Sequence, residues 1–501
     1  MSHPAFNQLL EISKNAALFS SMGQLLEWDQ ETYMPEGAID YRSLQSEALA
    51  NFIHKAKTGP KFQKALAKLI DIDTGKILDD SLNPIEKAAL REWRKDYIHL
   101  KKLPSSFVKM FAKTTSESQH KWALAKKDNN FKAFAPYLEK IVKLSQKKAA
   151  LLGYEEHPYD ALLDLYEPGM KTSYLVPLFA KLKDSLTALL KEITKNSLPN
   201  MDFLNKNYEG DKQLEFSKLL LKSMGFESTT SRLDLAVHPF CSGFHPLDTR
   251  MTTHINPKNP LPCFFGVIHE GGHGLYNRGL PTEYFGSPIC EHISLGIDES
   301  QSRWWETLIG HSLPFWQHFY PLLQKEFSEN LGNVSIEDFY QAVNIVKPSL
   351  IRIYADEVTY NLHIIIRFEI EKALIEGSLK VKDVPGVWNA KMQEYLGITP
   401  TGYADGCIQD IHWSMGGFGY FPTYTLGNLY AAQFFETFEK QHPNWREKVA
   451  KGDLIFIKEW LNENIHKFGK QFSSEEIAKK VTGRALTQEP YVAYLRKKYE
   501  V

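Results

Sequence analysis

The sequence contains one short motif whose residue types and spacing suit metal-dependent hydrolysis. The stretch 266–274 includes His-Glu-x-x-His, which places His269 and His273 on one face of a helix, one turn apart. Two neutral imidazoles so placed can chelate a zinc ion, and Glu270 can then take a proton from a zinc-bound water. The flanking run 262–275 is otherwise almost all apolar or glycine, so these polar side chains would be buried and would need partners. The motif predicts a catalytic zinc site.

Two glycines interrupt the helix that the motif requires. Gly271 and Gly272 lie inside the histidine pair, and each costs about 1 kcal/mol relative to alanine in a helix interior. We therefore expect another segment of the chain to approach this backbone closely.

A zinc site with two histidines needs a third protein ligand and an open position for water or substrate. A Gly-Leu-Pro break after the motif allows a second helix to return antiparallel. If Glu299 faces the metal from that helix, Glu291 and Asp298 would face elsewhere. Spacing alone does not choose among the acidic and histidine candidates, which are Glu283, Glu291, His292, Asp298, Glu299 and Glu306.

Composition excludes several classes of protein. The 501 residues carry 59 basic and 60 acidic side chains, so no basic excess points to nucleic acid. No apolar run approaches the roughly 20 residues that span a bilayer, and the first residues lack a secretory signal pattern. We expect a soluble cytoplasmic protein with no membrane partner. The four cysteines lack Cys-x-x-Cys spacing, so we expect buried free thiols at Cys241, Cys263, Cys290 and Cys407.

Helical periodicity dominates the chain, and strand signals are scarce. Apolar residues spaced by three and four predict helices at roughly 4–26, 38–57, 85–127, 129–151, 173–193, 211–225, 290–310, 335–376, 382–396, 425–441, 453–466 and 473–499. The two best strand signals, 232–237 and 250–255, lie just upstream of the motif, and one of them could hold an extended peptide as an edge strand. Without repeats or long linkers, residues 1–501 are expected to form a single large domain.

Further motifs, in order along the chain, resemble the Taq-type metallocarboxypeptidases, the thermostable carboxypeptidase 1 family of zinc-dependent exopeptidases. They are His-Pro-Phe at 238–240, Asp-x-Arg-x-Thr at 248–252, His-Glu-x-x-His at 269–273, Glu-Ser-Gln at 299–301, Ile-Arg-x-x-Ala-Asp at 351–356 and Gly-x-x-Gln-Asp-x-His-Trp at 406–413. Two more stretches, at 28–35 and 159–164, are also similar, so the match spans essentially the whole chain.

The resemblance implies a mostly α, saddle-shaped zincin-type fold with a long groove and a small β-sheet near the active site. It implies Glu299 as third zinc ligand and Glu270 as general base. It also implies a homodimer and release of single C-terminal residues from peptides. One zinc ion per chain is expected, although another divalent metal such as cobalt could serve. The sequence departs from the family at Asp298, where the family usually has histidine, so a hydrogen-bond acceptor replaces a donor.

Substrate recognition needs a partner for the free terminal carboxylate, and a bidentate arginine suits it. Arg352 is the first candidate and Arg250 the second. The glycine-rich loop 416–424 resembles the Gly-Tyr-x-x-x-Tyr loop of related helical zinc oligopeptidases. It offers Tyr420 and Tyr424 as contacts to the oxyanion or the carboxylate. We further expect His238, Gln409 and His412 to line the groove, and Asp356, Asp405 or Asp410 to orient imidazoles.

Two other functions are compatible with parts of this pattern. A helical zinc oligopeptidase that cuts internal bonds of short peptides would use the same chemistry and a similar groove. A catalytically silent peptide-binding protein would not need Glu270 as a base. The sequence does not select the preferred C-terminal residue or the physiological peptides.

Overall fold

Helices dominate the fold, as the periodic apolar pattern predicts. The structure, a computed structural model, describes residues 3–501, of which 67% are helical. The helices are α1 (Pro4–Thr32), α2 (Ile39–Thr58), α3 (Pro60–Leu66), α4 (Pro84–Lys102), α5 (Ser105–Lys127), α6 (Phe131–Leu152), α7 (Pro158–Leu163), α8 (Thr172–Ile193), α9 (Gly210–Ser223), α10 (Leu261–Gly279), α11 (Leu295–Arg303), α12 (Leu313–Glu326), α13 (Ser328–Leu331), α14 (Ile336–Val343), α15 (Tyr360–Glu376), α16 (Val384–Leu396), α17 (Pro422–Gln441), α18 (Trp445–Ala450), α19 (Ile455–Asn464), α20 (Ser474–Thr482) and α21 (Glu489–Tyr499).

Three of the long helices predicted from periodicity are wrong, because each is two helices. The span 85–127 breaks between α4 and α5, where Pro104 holds Leu103 in an extended conformation. The span 335–376 is interrupted from 344 to 359, and the span 473–499 breaks after Gly483. Five helices, α3, α7, α12, α13 and α18, were not predicted.

A three-stranded sheet lies beside α10. Its strands are β1 (Ser231–Leu235), β2 (Cys241–His245) and β3 (Asp248–Thr253), in the order β1-β3-β2. β1 runs parallel to β3, and β2 runs antiparallel to it. The two predicted strands correspond to β1 and β3. Of the two predicted strands, β1 is an edge strand and β3 is the central one, while the edge strand beside the groove described below is β2, which was not predicted.

The apolar side chains form one large core and a smaller one near the N-terminus. The large core contains the most deeply buried tryptophans of the chain, Trp304, Trp305, Trp316 and Trp388. The smaller cluster joins α1, α3 and α4 through residues such as Phe6, Leu66 and Trp93. The segment that carries the motif, α10 to α11, therefore lies in the large core.

Two expectations from composition concern membranes and cysteines. Within residues 3–501, none of the helices is both long and apolar enough to pass through a bilayer. All four cysteines are free thiols, with Cys263 and Cys407 buried and Cys241 and Cys290 half-buried.

Candidate active site

The motif helix α10 and the following helix α11 are in direct backbone contact. A β-carbon on Gly272 would lie 2.5 Å from the Cα of Ser302, so only glycine permits this approach. On the other side of α11, Gly427 of α17 leaves room for the side chain of Glu299, since a β-carbon there would lie 2.5 Å from its Cγ. The cost of a helical glycine is thus explained by the close approach that brings Glu299 to the two histidines.

Three side chains from α10 and α11 converge as a set of metal donors. Potential ligand atoms of His269, His273 and Glu299 all lie within 4.8 Å of one another. The Oε2 atom of Glu299 is 3.9 Å from Nε2 of His269 and 3.7 Å from Nε2 of His273. Ligands around a tetrahedral zinc ion with bonds of about 2.1 Å lie about 3.4 Å apart. The donor set therefore fits a zinc-sized cation with adjustments of a few tenths of an ångström.

Each imidazole of the donor set uses its other nitrogen to contact a carboxylate. Nδ1 of His269 lies 2.8 Å from Oε2 of Glu306, and Nδ1 of His273 lies 3.0 Å from Oδ1 of Asp298. With Nδ1 as the donor, each ring presents an unprotonated Nε2 toward the metal position, as a metal ligand requires. Asp298, which stands where the family usually has histidine, thus accepts a hydrogen bond from His273.

The two supporting carboxylates are themselves fixed. Arg303 donates to Oε2 of Glu306 at 2.7 Å and to Oδ1 of Asn428 at 2.8 Å. Nδ1 of His292 lies 3.2 Å from Oδ1 of Asp298, and its ring stacks on Tyr276 with centroids 4.3 Å apart. These contacts limit the rotation of both carboxylates, and through them of both imidazoles.

A π-helical segment, Trp304–Gly310, continues α11 and carries Glu306. Such segments are rare and are frequently found at functional sites. In this one, Trp304 and Trp305 are buried while Glu306 contacts His269. The helix predicted at 290–310 covers this stretch, but its π-helical form was not predicted.

Electrostatics at the site favour a cation. Burial raises the pKa of Glu270, which lines the groove. Burial opposes protonation of His273, but the carboxylate of Asp298 outweighs it and raises the pKa of His273 to about 10. Burial would likewise raise the pKa of Glu306, but Arg303 and His269 hold it well below its usual range. A metal ion would replace the protons that the carboxylates attract to these imidazoles.

The other candidates for the third metal ligand do not join both histidines. Glu291 pairs with Lys470 at 2.6 Å, and Glu283 belongs to a short 3₁₀ turn after α10. His292, Asp298 and Glu306 contact or support the donor set from outside, as described above. Of the six candidates, Glu299 is the one that joins both histidines through their Nε2 atoms.

The donor set opens onto a groove with a volume of about 840 Å³. Arg352, Tyr420 and Tyr424 line it together with the donor set and Glu270. The edge strand contributes Cys241 and Gly243. Among the residues that the structure describes, four of the predicted groove residues are absent from the lining, namely Arg250, His238, Gln409 and His412.

Arg352 lies in the segment 344–359, which interrupts the helix predicted there. The carboxylate of Asp356 shapes this segment by accepting from the backbone N–H groups of Lys347, Val358 and Thr359 at 3.0–3.1 Å. Asp356 therefore does not orient an imidazole, contrary to one expectation. The resulting turn places Arg352 in the wall of the groove.

The guanidinium of Arg352 belongs to a buried triad. Its Nε and Nη2 atoms lie 3.0 Å from Oδ1 of Asp410, while Arg367 donates to Oδ2 of Asp410 at 2.7 Å. Nη1 of Arg352 donates to the hydroxyl of Tyr360 at 2.9 Å. Two guanidiniums against one carboxylate leave a net positive charge, and these contacts leave an N–H on each of Nη1 and Nη2. Asp410 thus pairs with arginines and not with an imidazole.

Arg250 is engaged elsewhere. Its Nε and Nη2 contact the two oxygens of Asp248 at 3.0 and 3.1 Å, and its guanidinium lies 4.6 Å from the ring of Trp28. The bidentate pair is neutral and joins the sheet to α1. His238 is exposed just before β2, where its backbone carbonyl accepts from Thr252.

Gln409 and His412 lie behind the groove wall. The amide of Gln409 donates to the carbonyl groups of Leu350, Asp405 and Gly406 and accepts from the backbone N–H of Arg352 at 2.9 Å. Nε2 of His412 lies 3.3 Å from the hydroxyl of Tyr424, and burial lowers the pKa of His412 to about 4. Both residues support groove residues from behind. Asp405 accepts from the backbone of Gly402 at 3.0 Å.

The two loop tyrosines face the groove as neutral hydroxyls. Burial raises the pKa of Tyr420 to about 12, and burial also raises the pKa of Tyr424 well above its usual value. Their rings lie 5.4 Å apart, and the guanidinium of Arg352 lies 5.0 Å from the ring of Tyr424. At neutral pH both hydroxyls remain protonated and able to donate a hydrogen bond to an anion.

Sequence reasoning missed three residues around this site. Arg303 fixes Glu306, Tyr360 binds Arg352, and Arg367 shares Asp410. The spacing of Arg303 and Glu306 by three residues is an ordinary helical ion-pair signal that could have suggested the first contact. The contact of Arg352 with Tyr360 crosses an irregular turn, and Arg367 and Asp410 lie on segments distant in sequence, so a single sequence has no signal for either contact.

Comparisons with known proteins find similar proteins over nearly the whole chain. The family model described as carboxypeptidase Taq (M32) metallopeptidase matches residues 8–499. Thermostable carboxypeptidase 1 of Thermus thermophilus is 41% identical over 508 residues, covering 99% of this chain and 98% of the relative. Carboxypeptidase 1 of Bacillus subtilis is 36% identical, with 99% and 98% covered. The crystal structure of the M32 carboxypeptidase from Deinococcus radiodurans superposes with a TM-score of 0.96 at 34% identity, with 99% of each chain covered.

Proposed function

The chain belongs to the carboxypeptidase Taq (M32) family of metallopeptidases, and on that premise we propose that His269, His273 and Glu299 hold one zinc ion per chain. The protein is a metallocarboxypeptidase, a hydrolase that acts at the C-terminal peptide bond of peptides. The comparisons favour this activity over the oligopeptidase alternative. The observation that carries the proposal is the convergence of both Nε2 atoms on Oε2 of Glu299, at 3.9 and 3.7 Å.

Zinc is the metal that the chemistry of the donor set favours. Two imidazoles and one carboxylate with an open fourth position make up a typical catalytic zinc site, and the separations of the donor atoms suit bonds of about 2.1 Å. When bound, the metal would act as a Lewis acid toward a water molecule and toward the carbonyl of the scissile bond. Cobalt would be accepted by the same ligands, because imidazole and carboxylate bind several divalent metals.

Glu270 is the proposed general base. It follows His269 on α10 and faces the groove without being part of the donor set. Burial raises the pKa of its carboxyl, which makes the carboxylate a stronger proton acceptor than an exposed glutamate. Glu270 takes a proton from the attacking water and then delivers it to the leaving amine. The hydroxyl of Tyr420 or Tyr424 donates to the oxyanion that forms on the scissile carbonyl.

Arg352 is the proposed partner of the terminal carboxylate of the substrate. The net positive charge of its triad with Asp410 and Arg367 supports this choice, as does its place in the groove wall. Arg250 offers neither property, because its pair with Asp248 is neutral. A carboxylate bound at Arg352 would restrict the enzyme to the last peptide bond. Gln409 and His412 are then proposed to act on substrate only through Arg352 and Tyr424, the groove residues that they contact.

Replacing Glu299 tests the metal assignment. Glu299→Ala removes one of three protein ligands and should reduce the zinc content of the purified protein. Glu291→Ala is the matched control, because Glu291 is a nearby acidic residue that pairs with Lys470. Elemental analysis after dialysis against limiting zinc should show about one zinc per chain in the control and far less in Glu299→Ala. Full occupancy in Glu299→Ala would reject Glu299 as a ligand.

Three other features remain predictions. The homodimer follows from the family resemblance, whereas the cytoplasmic location follows from composition and the single domain from the absence of repeats and long linkers. Light scattering tests the first directly, since a dimer has twice the chain mass of 57.5 kDa.

A further inference from the structure

A buried carboxylate on the far side of the loop 416–424 accepts three hydrogen bonds. Glu371 of α15 is fully buried. Its Oε2 accepts from the hydroxyl of Tyr159 at 2.6 Å and from the backbone N–H of Gly419 at 3.0 Å. Its Oε1 accepts from the indole N–H of Trp413 at 2.9 Å. All three partners are donors, so this position requires an acceptor on both oxygens.

The contact with Gly419 fixes the chain immediately before Tyr420. On the other side of Tyr420, α17 begins at Pro422, and the carbonyl of Tyr420 already accepts from the backbone N–H of Thr423 at 3.0 Å. Tyr420 therefore lies between a helix and the residue that Glu371 holds. Gly419 has a φ of +93°, and a β-carbon there would lie 2.7 Å from the backbone of Leu162. The loop is thus seated directly on α7.

We infer that Glu371 is a positioning residue that holds the Gly419 backbone and thereby fixes Tyr420 in the wall of the groove. The inference rests on the proposed function in one respect, because the position of Tyr420 affects turnover only if its hydroxyl contacts the reacting group. Glu371 itself does not line the groove in the part of the chain that the structure describes. Its effect on the reaction is exerted through the loop.

Because all three partners of Glu371 are donors, one substitution can break the contact with Gly419 and a second can restore it, which distinguishes a positioning role from a merely structural one. In Glu371→Gln the amide has one acceptor and one donor end. If the amide oxygen faces Tyr159 and Gly419, the NH₂ group faces the indole N–H of Trp413. In the reverse orientation, the NH₂ group faces the backbone N–H of Gly419. Each orientation therefore places two hydrogen-bond donors against each other, which is unfavourable in a buried site. Adding Trp413→Phe removes the indole donor, so the glutamine oxygen can again hold Gly419.

The experiment compares Glu371→Gln, Trp413→Phe with Glu371→Gln, and Glu369→Gln in the zinc-loaded enzyme. Glu369 is the matched control, because it lies on the same helix and accepts from Tyr395 at 2.7 Å away from the groove. Hydrogen exchange of the peptide that contains residues 416–421 reports the Gly419 contact, and steady-state kinetics report turnover. In Glu371→Gln, exchange of this peptide should accelerate by about tenfold or more. kcat should fall about 10- to 100-fold with unchanged zinc content. The double variant should restore both, and Glu369→Gln should change neither.

Each other result rejects the positioning role. Wild-type kcat and exchange in Glu371→Gln would show that the contact with Gly419 is dispensable. A double variant that folds but regains neither property would show that the carboxylate acts in another way, and this comparison remains valid if Glu371→Gln alone fails to fold. Tyr420→Phe separates the two levels of the argument. A loss of kcat in Tyr420→Phe without a loss in Glu371→Gln rejects only the role of Glu371, whereas full kcat in Tyr420→Phe rejects the proposed role of Tyr420 and the inference with it.

Discussion

Asp298 offers a graded test of how the outer carboxylates support metal binding. Both of its imidazole contacts reach the same oxygen, Oδ1, at 3.0 Å from His273 and 3.2 Å from His292. Asp298→Asn can therefore keep both hydrogen bonds through its amide oxygen and loses only the negative charge. Asp298→Ala loses the charge and both hydrogen bonds, so it should have the larger effect.

The size of the effect follows from the usual contribution of such outer partners. Removing one typically weakens metal binding by about 10- to 100-fold, which corresponds to about 1.4 to 2.7 kcal/mol. We expect Asp298→Asn near the lower end of this range and Asp298→Ala near the upper end. The Kd for zinc is measured by competition with a chelating dye at fixed pH. Glu291→Gln, a nearby acidic residue whose partner is Lys470, should leave the Kd unchanged. An unchanged Kd in Asp298→Ala, or an equal loss in Glu291→Gln, would refute the supporting role of Asp298.

Two further predictions concern the substrate clamp and acid stability. Arg352→Lys should lower kcat/KM for free-acid peptides by about 10- to 100-fold and remove the preference for them over amidated peptides, because lysine cannot form the bidentate contact. The control variant Arg250→Lys should keep that preference. A preference lost only in Arg250→Lys would assign carboxylate binding to Arg250 instead. Burial lowers the pKa of His466 to about 3, so the stability that it contributes is present above pH 6.5 and is lost as the pH falls below that value. Urea unfolding at pH 6.5 and 5.0 should therefore show about 1.6 kcal/mol less acid destabilisation in His466→Gln than in the wild type, whereas the exposed-site variant His120→Gln should behave like the wild type.

The arrangement of two of the three candidate metal donors could be predicted from sequence, because it is local. His269 and His273 are one helical turn apart. The glycines between them predicted that another segment approaches this backbone closely, and Gly272 does contact α11 closely. Glu299 could not be selected by spacing among the six candidates, since the choice depends on how α11 packs against α10. The family resemblance supplied it.

The groove residues were harder to predict, because their roles depend on which partner each side chain contacts, and sequence spacing does not select that partner. Arg352 was expected on a helix, but the bonds of Asp356 to the backbone make a turn there. Arg250 looked equivalent to Arg352 in sequence, and only the structure shows one pair with Asp248 and one triad around Asp410. β2 was missed because Cys-Ser-Gly-Phe-His lacks β-branched residues, although it is the strand beside the groove.

The most direct test of the proposed mechanism is the zinc content and turnover of Glu270→Gln measured on the same preparation. Glu270 is outside the donor set, so the variant should retain about one zinc per chain. Loss of the base should lower kcat by about 10²- to 10⁴-fold on a free-acid peptide. A variant that binds zinc normally and keeps more than about a tenth of the wild-type kcat would contradict the assignment of Glu270 as the general base.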